Sequence, residues 1–279
     1  MTARPALSGV TGLAQALRMM ADPVEAFRMM TGDEPLDWQV LYLPERRDAL
    51  VLKGRQVGAS TAGACKAVRK AIVRRRSLCA IVSPSLKQST EVKERARSHL
   101  DRLGLRLARD SESVLELENG SRILSLPGTA KSVRGWSADL LILDEAAFLD
   151  AETFLAARAT VAATGGQVIV QSTPDGPFGH FYDLFQEAVD VADATVDGAP
   201  DPTVDLVRFR VSSEDVSTIS PDFLSRERAT LSADDYAQEY LGQFTAPGAG
   251  IVSPERLRGL TSGAPPSAED FWAKLRTAP

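Results

Sequence analysis

Two short stretches of the chain carry residue types suited to phosphate and metal chemistry. The first is Lys53-Gly54-Arg55-Gln56-Val57-Gly58-Ala59-Ser60, which follows the apolar run Ala49-Leu50-Val51-Leu52 and precedes a segment of helical spacing. A loop of the form G-x-x-x-x-G-K-[ST] binds phosphate in such a place, because its backbone amides cradle the anion and its hydroxyl holds Mg2+. Aligned on Gly58 and Ser60, this chain has Ala59 where lysine is expected and Lys53 where the first glycine is expected. The chemistry survives if Lys53 swings in from the front of the loop and Arg55 adds a second cation. Taken alone, the loop also reads as an ordinary Gly-containing turn between a strand and a helix. The second stretch is Leu140-Leu141-Ile142-Leu143 running into Asp144-Glu145, the shape of a Walker B strand. The first carboxylate of such a pair holds Mg2+ through water, and the second polarises an attacking water. Adjacent residues at a strand end diverge, so one can face the metal and the other the γ-phosphate.

The elements that must position these groups alternate along the chain. The segment from Ser60 to about Arg76 places Ala64, Ala67, Val68, Ala71 and Ile72 at helical spacing. Leu78–Val82 is a buried strand ending at Ser83-Pro84, and a helix follows from about Leu86 to Leu103. Val114–Glu118 and Arg122–Leu126 flank Asn119-Gly120, a strong hairpin signal. Val168-Ile169-Val170 is a further strand, ending in Gln171-Ser172-Thr173-Pro174. Continuous apolar strands separated by helices predict an α/β fold with a mainly parallel sheet covered on both faces. Ligands bind such sheets beyond the carboxyl ends of the strands, where the Gly-rich, Asp-Glu and Ser-Thr sequences all fall. Residues 190–202 read as a surface loop, and Val204–Val211 as one more strand. Helices begin near Pro221 and Ser232, and the tail from Ala246 reads as linker.

Composition narrows the alternatives. The chain has 279 residues, 44% hydrophobic and 25% charged, with a formal charge of -5. No apolar run approaches the ~18 residues of a membrane span. Two cysteines and two histidines argue against a zinc cluster, a disulfide framework or a haem site, and Cys65 and Cys79 read as core residues in a reducing compartment. Charge is uneven: residues 66–134 carry a net +9 and residues 135–279 a net -14. The dense run Lys66 to Arg76 suits either a polyanion or a solvated helix end, so charge alone leaves the partner open. Trp136 reads as a core plug or a lid on a nucleotide edge, and Met19-Met20 and Met29-Met30 as packing of a leader helix.

Together the loop and the acidic strand end bring out a resemblance to the ATPase domain of phage terminase large subunits, over roughly Asp22 to Ile251. Lys53–Ser60 resembles a deviant Walker A motif with the lysine at its front. Asp37-Trp38-Gln39 resembles the adenine-binding glutamine motif, and Ser83-Pro84-Ser85 with Gln88-Ser89 the next motif in order. Ser132-Val133-Arg134-Gly135-Trp136 precedes the Walker B strand as an Arg-Gly pair does in that family. Gln171–Pro174 is similar to its coupling motif, and Tyr236–Phe244 to the segment closing the ATPase half.

The resemblance implies a P-loop NTPase of the ASCE or RecA-like kind with a small C-terminal helical segment: a helical lead over 1–34, an ATPase core over 35–211, a helical linker over 212–250 and a tail over 251–279. It implies ATP and Mg2+ as cofactors. The nucleotide would contact Trp38, Gln39 and the loop residues Gly54, Arg55, Gln56, Val57, Gly58, Ala59, Ser60 and Thr61, with the metal on Ser60 and Asp144. Glu145 would orient water, Lys53 and Arg55 would neutralise phosphate, and Ser172 and Thr173 would sense the γ-phosphate. It further implies a motor that packages double-stranded DNA into a procapsid, working with a portal protein and a small subunit. The motor would be a homo-oligomeric ring of five subunits in the bacterial host cytoplasm, with an arginine supplied in trans; Arg102 and Arg106 are candidates. Only 28 residues follow Ile251, too few for the family's nuclease fold, and Asp175, Asp183 and Asp190 read as solvated carboxylates, so no nuclease activity is expected of this sequence. Because Ala59 removes a cation whose loss can cost about 10³–10⁵ in rate, Lys53 or Arg55 must act if the chain hydrolyses ATP. A helicase-like translocase and a non-catalytic nucleotide-binding assembly module are the rival readings.

Overall fold

The apolar runs find one another in a single sheet. The computed structural model describes residues 17–19, 21–196 and 198–245. Two helices, α1 (Pro23–Thr31) and α2 (Asp37–Tyr42), lead into β1 (Asp48–Lys53), α3 (Ala59–Val73), β2 (Leu78–Ser83) and α4 (Leu86–Arg102). Three strands follow, β3 (Leu107–Asp110), β4 (Val114–Leu117) and β5 (Arg122–Pro127), then α5 (Ala130–Val133), β6 (Leu140–Asp144), α6 (Ala151–Arg158), β7 (Gln167–Ser172) and α7 (Gly179–Glu187). After β8 (Val189–Asp190), β9 (Thr195–Val196) and β10 (Ala199–Pro200), the chain ends its described part with β11 (Leu206–Val211), α8 (Pro221–Thr230) and α9 (Ala233–Glu239).

The sheet has nine strands in the order β3-β4-β5-β2-β6-β7-β1-β11-β8. From β5 to β8 every pairing is parallel, and β3 and β4 add an antiparallel edge. The mainly parallel α/β architecture expected from the sequence is the one found. Its strands are buried on both faces, and period-two alternation divides each between two cores. Ala49 and Val51 point into a cluster with α1, α3 and α4, while Leu50 and Leu52 point into another with Phe154, Phe181 and Phe185. Phe27 and Met30 of α1 are buried in the first cluster, as are Tyr236 and Tyr240 near the end of the described chain. Cys65 and Cys79 are buried core thiols.

Two expectations need correction. Residues 190–202 are not only loop: Val189–Asp190 pairs in parallel with β11, and β9 and β10 form a small antiparallel ladder. Strands of two residues carry no periodicity to read. Asp190 is not a solvated carboxylate either. Arg208 grips it with two bonds of 2.9 and 2.7 Å, holding its carboxyl below the usual range, so it pins the edge strand. Trp136 packs against the second cluster and donates to the Ser132 carbonyl, away from the sheet's carboxyl edge. Among the described residues no helix is long and apolar enough to cross a membrane. The tail from Ala246 and the lead before Leu17 lie outside the described residues.

Candidate active site

Strands β1, β6 and β7 are neighbours in the sheet and end on the same edge, so Lys53, Asp144-Glu145 and Ser172-Thr173 are brought together from three distant parts of the chain. The turn after β1 is shaped by its backbone. Gln56 and Gly58 both adopt positive φ, 57° and 80°, and α3 begins immediately beyond at Ala59 with its free amides facing the cleft. Gly58 has a second reason to lack a side chain, since a Cβ there would lie 2.7 Å from Gln39 Nε2.

Beneath the turn, Gln39 donates to the Gly58 carbonyl at 3.2 Å and Trp38 Nε1 donates to the Val57 carbonyl at 3.1 Å. Their polar atoms hold the loop from behind, and neither side chain lines the cleft. The front of the loop is gripped by the distal segment. Arg55 N–H donates to the Glu239 carbonyl and Ser213 Oγ to the Arg55 carbonyl, while the Arg55 Nε meets Glu239 Oε2 at 2.5 Å. A Cβ on Gly54 would stand 2.2 Å from the Tyr240 carbonyl oxygen, so only glycine admits this close approach.

The two carboxylates of β6 diverge. Asp144 is 5% exposed and turns under the sheet edge, where Gln171 Nε2 donates to its Oδ1 at 2.6 Å. Burial raises its carboxyl above the ordinary range; Lys53 opposes that rise, and the charge on Glu145 adds to it. Glu145 takes a left-handed backbone, φ 52°, that swings its side chain into the cleft. There Oε1 accepts from Lys53 Nζ at 2.7 Å, and Oε2 accepts from Ser172 Oγ at 3.3 Å and from the Thr173 amide at 3.4 Å. Ser172 Oγ in turn accepts from the Ala147 amide.

These groups surround a cavity of about 580 Å³ lined by Lys53, the turn 55–61, Glu145 and Thr173. It is an amide-rich hollow in which the cations Lys53, Arg55 and Arg95 outnumber the half-buried carboxylates Glu145 and Glu239, suited to a phosphate chain and to a reaction that needs a base. Four further walls are Gln88 and Arg95 from α4, Phe148 after β6 and Glu239 from α9; sequence reasoning placed Gln88 and Glu239 in family motifs without assigning them to the cleft, and missed Arg95 and Phe148. Gln88 and Arg95 are seven residues apart, two helical turns, so the amphipathic stripe of α4 could have flagged them as a pair.

The family model for the N-terminal part of the T4likevirus-type terminase large subunit matches residues 50–258. The chain belongs to that terminase family. Among solved structures this terminase domain is similar to a variant of the Thermus phage P74-26 large terminase ATPase domain. The TM-score is 0.69 at 21% identity, over 80% of this chain and 100% of that one. It is also similar to the HK97 bacteriophage large terminase, with TM-score 0.62 and 15% identity over 82% of this chain and 55% of that one. The large terminase of another thermophilic bacteriophage, solved in complex with ADP, gives 0.56 and 11%, over 83% and 53%. The terminase domain thus spans about half the length of these last two proteins, and at these identities the likeness is one of fold. No curated protein matches it.

Proposed function

We propose that this terminase domain binds ATP in the cleft at 53–61 and hydrolyses it there, as the motor that drives double-stranded DNA into a procapsid. One observation carries the reading: the turn after β1 faces the acidic end of β6 closely enough for Lys53 and Glu145 to pair at 2.7 Å. The large terminase of a thermophilic bacteriophage that shares this fold has been solved with ADP and with ATP-γ-S.

The triphosphate would lie on the amides of Gly58–Thr61 at the start of α3. A hydroxyl and a carboxylate are the hard oxygen donors that Mg2+ takes, and a bound cation would offset the burial that raises the Asp144 carboxyl. Ser60 and Asp144 would hold the ion, which when bound neutralises charge on the phosphates. Glu145 would orient and deprotonate the attacking water. Lys53 occupies one oxygen of Glu145; a γ-phosphate would offer Lys53 a competing anion and leave the carboxylate to the water. Ser172 and Thr173 touch the other oxygen of Glu145, which supports a role for the end of β7 in registering whether that carboxylate is engaged. Trp38 and Gln39 would serve the nucleotide through the loop they hold. In the assembled motor the domain would act in a five-membered ring in the host cytoplasm, with the portal protein, the small subunit and duplex DNA as partners.

Phosphate release by the full chain, with DNA and portal present, tests this. Glu145→Gln is expected to lower turnover by about 10²–10⁴-fold while leaving nucleotide affinity within about threefold. Normal turnover in that variant would remove Glu145 from the role of base. Both loop cations are engaged by carboxylates, which favours the second reading, a nucleotide-binding assembly module. That reading predicts ATP binding without turnover in the wild type under the same conditions.

A further inference from the structure

Ala59 leaves the loop one cation short, and the two cations expected to replace it are occupied. Lys53 is paired with Glu145, and Arg55 is held by Glu239 at the outer rim. A third cation lines the cleft. Arg95 projects from α4 toward the first turn of α3, its Nη1 3.5 Å from Thr61 Oγ1. Among the described residues no carboxylate pairs with it, although Glu91, Glu94 and Glu112 share the next hollow along the helix. Glu94 is taken by Lys93.

The placement of Arg95 is built in. Ser85 caps α4 through a reciprocal bond with Gln88, and Val92, Ala96 and Leu100 bury the inner stripe. That fixes the helix's rotation and leaves Gln88 and Arg95 on the face toward the loop. Thr61 lies one residue beyond the Ser60 hydroxyl; with ATP in the cleft the amides of this stretch would cradle the α- and β-phosphates, and Lys53 and Glu145 would mark the γ end.

We propose that Arg95 is a nucleotide-binding residue whose guanidinium meets the α/β-phosphate end of bound ATP or ADP, supplying from α4 a charge that Ala59 withholds. The inference rests on the ATP reading of the cleft. Its planar fork suits bidentate contact with phosphate oxygens better than an ammonium does.

Titration of the full chain with fluorescently labelled ADP and ATP in MgCl2 tests it, with thermal melting to show that each variant is folded. Arg95→Ala is expected to raise the Kd for both nucleotides alike by about 10–100-fold, and Arg95→Lys to recover part of the loss. Lys53→Ala, by contrast, is expected to weaken ATP and spare ADP. Affinities unchanged within about twofold in Arg95→Ala would overturn the assignment. A loss confined to ATP would place the contact at the γ-phosphate and overturn it too. Unchanged nucleotide affinity with weakened binding of a DNA duplex would move Arg95 to a DNA-facing surface and likewise end the proposal. A wild-type chain that binds neither nucleotide would bring down the ATP reading itself, and the role of Arg95 with it.

Discussion

Glu145 and Asp144 are adjacent in sequence yet meet different surroundings, and a single backbone angle separates them. The left-handed φ of Glu145 sends one carboxylate outward to Lys53, while extended geometry sends the other beneath the edge to Gln171. Types and order made both carboxylates legible in advance. The pairing of Gln171 with Asp144 was not, because the two lie 27 residues apart and only the register of β6 with β7 puts them side by side. The Gln171 amide is half committed: Nε2 donates to Asp144, and Oε1 is buried with no partner among the described residues. A hydrogen bond to a charged group contributes about 1.5–3 kcal/mol, but an unsatisfied buried acceptor costs about 1–3 kcal/mol. Gln171→Leu removes the unsatisfied oxygen but also strips the buried Asp144 carboxylate of its donor, so urea unfolding should show a net loss of about 1–3 kcal/mol. A loss well above about 3 kcal/mol would mean that the second oxygen does useful bonding.

At the scale of elements, α3 runs along one face of the sheet, away from the cleft. Its first turn faces the phosphate loop, and its middle carries Lys66, whose Nζ donates to the carbonyls of Tyr42 and Glu45 at 2.9 and 2.6 Å and sits over the Tyr42 ring. Burial lowers the ammonium's pKa to about 7; Glu45 pulls it upward and Arg69 pushes it further down. In the unfolded chain the same lysine keeps its proton to about pH 10.4. Between those values the unfolded state binds more protons, so this group makes stability rise with pH, by at most about 1.4 kcal/mol per pH unit. Unfolding of the wild type and Lys66→Met at pH 7, 8 and 9 should show the wild type gaining on the variant across that window. A constant difference would mean that the ammonium stays charged in the fold. The helix itself was plain from its apolar spacing. The consequence of burying Lys66 was not, since the sequence shows only a basic run.

For the molecule as a whole, the cleft is assembled from β1, β6, β7, α3, α4 and the segment around Glu239, so a ligand there ties together parts of the chain that unfolding would scatter. Binding to the folded state alone adds about 2.7 kcal/mol at a hundredfold excess over Kd. In a domain of this size that should raise the melting temperature by roughly 5–10 °C with ADP or Mg-ATP. A melting temperature indifferent to both nucleotides would count against the cleft as their site.

What the sequence determined by itself was the alternation of apolar strands and helices, and the chemical types at the strand ends: a Gly-containing turn with Lys53 and Ser60, two carboxylates, and a Ser-Thr pair. These are local signals, written in runs a few residues long. Only the tertiary structure decided which charges are engaged. Lys53 meets Glu145 across 92 residues, Arg55 meets Glu239 across 184, and Arg95 reaches Thr61 across 34. Such pairings depend on strand order and helix rotation, which are fixed when both faces of the sheet are buried, and no spacing along the chain encodes them.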